Sequence, residues 1–169
     1  MKWLFVCAHP DDLEYFVGYL IAHLTKTRSH RDEVLVASLT RGEMSSFTDE
    51  TRSTKLAAMV RTRELESSTD ALGVDRLDFL GFFDGFVEVN RKGINLLKSY
   101  LKKTDPDVVV APEPVYTFYH HPDHTNAGKI LYLALSELSQ QKSWAHRSLK
   151  PALFYYGAII NDLYFPKHS

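Results

Sequence analysis

Two short segments carry groups that could do chemistry together. One is Ala8-His9-Pro10-Asp11-Asp12, directly after the apolar run MKWLFVC; the other is His121-Pro122-Asp123-His124, far along the chain. Proline suits the first turn of a helix, and aspartate there favours the positive end of the helix dipole. A single such segment therefore reads equally well as an ordinary helix start. Two of them, each following an apolar run, raise a second reading: they are the halves of one metal site. His-x-x-Asp offers two ligands across a tight turn, and a distant histidine can supply the third. Two imidazoles and one carboxylate suit zinc, with a position left open for water. The two nitrogen donors favour zinc over magnesium, and iron or cobalt accept the same set. A structural zinc site usually draws on several cysteines, and the chain has one, Cys7.

This chemistry requires the two segments to meet, so the elements between them decide the matter. The runs KWLFVCA (2–8), EVLVASLT (33–40), RLDFLGF (76–82), DVVVAPE (107–113) and ALFYYGA (152–158) read as strands. Between the first two, Leu13, Phe16, Val17, Leu20, Ile21 and Leu24 recur at spacings of three and four, one apolar face of a helix. Further helices are expected over 54–72, ended by Gly73, over 90–103, with Gly93 a weak point, and over 122–139. The alternation predicts an α/β fold: a Rossmann-like, doubly wound, mainly parallel five-stranded sheet with helices on both faces. Its expected order is 3-2-1-4-5. Strands 1 and 4 are then neighbours, and a crevice opens at their carboxyl ends, where ligands bind in such sheets. Topology alone brings His9, Asp11 and Asp12 towards His121 and His124.

Bulk properties narrow the classes. The chain has 169 residues, 44% of them apolar, which suits one domain with its own core, residues 1–169. A net charge of −1 provides no overall field for nucleic acid, and the basic stretch Lys26–Arg31 reads as a solvated helix end. One cysteine excludes an intramolecular disulfide and suits a reducing compartment. No run approaches the ~20 apolar residues of a membrane span, and the start lacks a signal-peptide layout. A cytoplasmic protein with neither a nucleic-acid nor a membrane partner is expected. A nucleotide-dependent oxidoreductase would share the fold, but AHPDDLEYFVG lacks G-x-G-x-x-G and its aspartates would repel a pyrophosphate.

Other residues widen the pattern: Thr40-Arg41-Gly42-Glu43, Arg61-x-x-Glu64 with Leu72-Gly73-Val74, FLGFFDG at 79–85, DPDVVVAP at 105–112 and HPDHTNAG at 121–128. Together with AHPDD they resemble the PIG-L/LmbE-like family of zinc-dependent N-acetylglucosaminyl deacetylases, over about residues 1–160. The resemblance implies one zinc ion per chain held by His9, Asp12 and His124, with Asp11 as general base. It implies that His121 stabilises the oxyanion or protonates the leaving amine, with Asp123 as its partner. Arg61, Asp84 and Glu43 fall at substrate-binding positions. A small amino-sugar substrate is implied, and a homo-oligomer is compatible. Family members usually continue further, so the chain reads as short at its C-terminus, which bears on specificity. Two other readings stand beside this one: a non-catalytic zinc- or sugar-binding protein, and an amidase on a non-sugar or thiol-conjugate substrate. Arg61 and Glu64 also fit a plain i,i+3 surface pair. The aromatic loop Tyr116–His120 has two uses open to it, stacking on a sugar or covering the metal. His120 is expected to face away from the site, and His23, His30, His146 and His168 to lie on the surface.

Overall fold

The computed structural model describes residues 1–45, 53–115, 121–141 and 151–156. Its strands are β1 (Lys2–Cys7), β2 (Glu33–Ser38), β3 (Arg76–Phe79), β4 (Val108–Pro112) and β5 (Ala152–Tyr156). The helices are α1 (Gly18–Thr27), α2 (Thr54–Leu72), α3 (Arg91–Thr104) and α4 (Pro122–Ser139). All strand pairs are parallel, in the order β3-β2-β1-β4-β5. The sheet is the one that the alternation predicts.

The strands carry apolar side chains on both faces because both faces are covered. Successive side chains of a strand point to opposite sides. From β1, Leu4 and Val6 enter a core shared with Leu97 and Leu101 of α3 and Ile130 and Leu131 of α4. Phe5 enters the opposite core, with Leu13, Ile21 and Leu65. The central strand is sealed, with Leu4 to Ala8 at most 1% exposed.

Three local departures from expectation have physical causes. β1, β2 and β3 end earlier than their apolar runs do: beyond Cys7, Ser38 and Phe79 the regular ladder gives way to single backbone bonds, Thr40 N–H to Ala8 O and Phe82 N–H to Leu39 O, as the segments turn into loops. The segment Leu13–Val17 is a wide π-helical turn that precedes α1. Its wider spacing shifts the apolar face: Leu13, Val17 and Ile21 are buried, while Leu20 is left exposed. Gly93, the expected weak point, is a packing position. A methyl group there would lie 3.1 Å from the Phe82 ring. Gly73 caps α2 in the left-handed conformation as its position predicts. Among the described residues, no helix is long and apolar enough to cross a membrane.

Candidate metal centre

The site lies at the carboxyl ends of β1 and β4. The turn after β1 is built by Asp12. Its Oδ2 accepts the backbone N–H groups of Ala8 and His9, both at 2.9 Å. That leaves Oδ1 facing His124 Nε2 at 2.8 Å and His9 Nδ1 at 3.8 Å. The His9 and His124 nitrogens lie 3.1 Å apart. These are the separations of ligands around one ion, since metal–ligand bonds of ~2.0–2.1 Å in a tetrahedron set donors roughly 3.3 Å apart.

The other face of His9 completes the fit. Its Nε2 lies 3.1 Å from Asp84 Oδ1 and 3.2 Å from Asp123 Oδ2, so the Nε2–H donates there and Nδ1 is directed at the ion position. Burial opposes a charge on His9, but Asp12, Asp123 and Asp84 favour a positive ring and push its pKa up to about 12; a metal ion on Nδ1 would displace that proton and be favoured by the same carboxylates. Burial likewise opposes ionisation of Asp12, yet the bonds from His124 and His9 hold its carboxyl far below the usual range. A second donor group, His9, His121 and Asp123, is also close-set. Asp123 is 1% exposed and its Oδ2 already accepts Gly85 N–H at 2.7 Å. His9, Asp12 and His124 by contrast all line the open pocket, so the ion belongs with them. The described residues thus hold a His-Asp-His cluster suited to a metal ion.

α4 delivers its side chains because it packs unusually close to the exit of β4. A methyl group on Gly128 would stand 2.3 Å from the Pro112 carbonyl oxygen. Asn126 Nδ2 donates to Val87 O at 2.7 Å and ties the loop after β3 to the same helix. Phe16, on the wide turn, meets the His124 ring edge-on and stacks on Tyr156 of β5.

The remaining sequence candidates take up particular places. Asp11 is exposed at the pocket and pairs with Arg61 Nη2 at 2.7 Å. Arg61 Nη1 reaches Glu64 at 2.7 Å, so the i,i+3 pair forms and Arg61 also borders the pocket. The His121 ring crosses His9 edge-on, with centroids 4.6 Å apart. Its Nδ1 is buried with no hydrogen-bond partner among the described residues, and burial, then the charge of His9, holds its pKa below the ordinary histidine value. Asp123 lies within 4.8 Å of a His121 ring nitrogen, as the expected partnership requires, but its hydrogen bonds go elsewhere. Asp123 accepts from His9, Gly85 N and Val87 N, because side chains two apart at a helix start face different directions. Asp84, expected against the sugar, is buried and accepts Met44 N–H besides facing His9. Glu43 does not line the pocket: its carboxylate accepts the N–H groups of Arg41 and Asp84, bracing the loop. His23 and His30 are exposed as expected. His120, His146, His168 and the aromatic loop lie outside the described residues. The sequence reading missed Glu14, Tyr15 and Phe86, which also line the pocket. Proximity to AHPDD and FLGFFDG was the available signal.

The fold and the site geometry can be set against known proteins. The family model described as "PIG-L: GlcNAc-PI de-N-acetylase" matches residues 4–135. The chain belongs to the PIG-L family. Among its PIG-L relatives, the diacetylchitobiose deacetylase of Thermococcus kodakarensis is 31% identical over 127 residues, 75% of this chain and 46% of the relative. The 1D-myo-inositol 2-acetamido-2-deoxy-alpha-D-glucopyranoside deacetylase of Corynebacterium kroppenstedtii is 29% identical over 160 residues, 79% of this chain and 40% of the relative. The chain thus spans about half the length of these curated relatives. The solved N,N'-diacetylchitobiose deacetylase from Pyrococcus horikoshii superposes with a TM-score of 0.78 at 28% identity, covering 92% of this chain and 60% of that one.

Proposed function

We propose that this PIG-L protein is a zinc-dependent hydrolase that removes acetyl from an N-acetylglucosamine-type conjugate. The observation that carries the reading is the meeting of the His9, Asp12 and His124 donor atoms in one open pocket, beside an exposed Asp11 carboxylate and the His121 ring. Bound there, zinc supplies an acidified water and polarises a carbonyl oxygen. His9 and Asp12 hold their ligand atoms still through the hydrogen bonds already described. Asp11 takes one proton from the attacking water, as a base outside the ligand set. The water oxygen bonds to the acetyl carbon, the C–N bond breaks, and the departing nitrogen takes up the proton that Asp11 removed from the water, relayed through the neutral His121 ring. Acetate and a free amine result. His121 also faces the oxyanion that develops during attack, and a donor of this kind contributes about 2.7–4 kcal/mol in comparable sites. Asp123 and Asp84 act on the reaction through His9, while Arg61 and Asp84 border the sugar and Glu43 supports that wall. We read residues 1–169 as one domain, and the single buried Cys7 supports a reducing, cytoplasmic setting. The test is acetate release by zinc-loaded protein from N,N'-diacetylchitobiose and N-acetylglucosamine conjugates, with chelated protein as control. Zinc-dependent release is expected; a zinc-loaded chain that releases none from any such conjugate overturns the reading.

A further inference from the structure

The pocket before the donor cluster has a volume of about 1060 Å³. Ligand pockets run from about 300 to 1,000 Å³, so this one takes a group beyond the acetylated ring. The charges of its wall say which kind. Among the described residues, the lysines and arginines contribute one side chain to the lining, Arg61. Its fork is already matched, Nη2 to Asp11 and Nη1 to Glu64, each at 2.7 Å. Both partner carboxylates are more than half exposed, and Glu14 adds a further exposed carboxylate to the same wall. A carboxylate or phosphate entering beside the sugar meets like charge and must compete for a guanidinium that two protein carboxylates hold. Tyr15 and Phe86, 62% and 65% exposed, line the pocket too and offer apolar faces. Such faces suit the C–H side of a second pyranose or a polyol ring.

We propose that the site selects conjugates in which the N-acetyl amino sugar is joined to a neutral group, a second sugar or polyol, and disfavours those carrying an anion beside the sugar. This rests on the deacetylase reading, and the test separates the two. Zinc-loaded protein is given N,N'-diacetylchitobiose and N-acetylglucosaminyl malate at low salt. The expected result is a kcat/KM at least tenfold higher on the disaccharide. Glu64→Gln, which leaves Arg61 one carboxylate short, is expected to narrow that gap at least threefold, as is raised salt. A faster reaction with the malate conjugate, or a gap that Glu64→Gln and salt leave unchanged, overturns the proposal while the deacetylase reading stands. If neither compound is hydrolysed, the deacetylase reading is left to the wider set of conjugates, and calorimetric binding of the same two compounds to the same protein decides the selectivity. Tighter binding of the disaccharide supports it; tighter binding of the malate conjugate, or no binding of either, overturns it.

Discussion

His9 Nδ1 and His124 Nε2 stand 3.1 Å apart although 115 residues separate them. With Asp12 Oδ1 they form a three-donor cluster whose chemistry suits zinc. Purified protein loaded with zinc and freed of excess is expected to carry about one ion per chain by mass spectrometry. His124→Ala removes a third of the ligands and is expected to lose it. Zinc should also raise the melting temperature of the wild type and leave that of the variant unchanged, because a ligand stabilises only the state that binds it.

Asp11 lies beside the cluster and contributes none of its donor atoms. Asp11→Asn should therefore keep its zinc and lose turnover. General-base catalysis contributes roughly 10²–10⁴-fold, so a fall in kcat of at least ~100-fold is expected. Full activity in a zinc-replete variant would remove Asp11 from the mechanism.

Asp123 holds the far side of His9 and two backbone N–H groups of the loop at 85–87. Carboxylates placed behind a ligating histidine typically contribute 10–100-fold to metal affinity. Asp123→Asn is expected to weaken zinc binding by about that factor in competition with a chelator. An unchanged affinity would show that Asp84 alone orients the ring.

Gly128 faces the Pro112 carbonyl at a distance no side chain tolerates. Gly128→Ala has to push α4 off the end of β4, an overpacking that costs about 1–3 kcal/mol. The urea midpoint should fall with an unchanged m-value. A shift of the cluster would appear in the same variant as weaker zinc binding.

Acid should expose a smaller term. Burial opposes ionisation of Asp75, but Arg28 and the Val34 N–H more than offset it and hold its carboxyl below the ordinary value. A carboxyl depressed in the folded state stabilises above its unfolded pKa of ~3.9, and that contribution is lost as pH falls through the folded value. Asparagine keeps an acceptor for Val34 and removes the charge. The wild type should exceed Asp75→Asn by roughly 0.2–1 kcal/mol at pH 7, since the pair is partly exposed, and the gap should close below about pH 4. A gap of the same size at pH 3 would show that the charge contributes nothing.

The sequence by itself determined the sheet. Apolar runs such as KWLFVC and VVVAP alternate with helical spacings, and right-handed crossovers narrow such a chain to a few doubly wound orders, of which the Rossmann-like one is expected and found. That order makes β1 and β4 neighbours, so the convergence of the two HPD segments was legible as well. Only the tertiary structure decided how the side chains share the work. That Asp123 answers His9 and not its sequence neighbour His121 depends on the direction in which α4 leaves β4, and a bare Gly128 sets it. That Arg61 joins Glu64 to Asp11 depends on α2 lying across the mouth of the turn after β1. Periodicity is a property of consecutive residues and survives in the sequence. Side-chain partners are chosen by distances of a few ångströms between segments far apart in the chain, and those distances exist only once the sheet has formed.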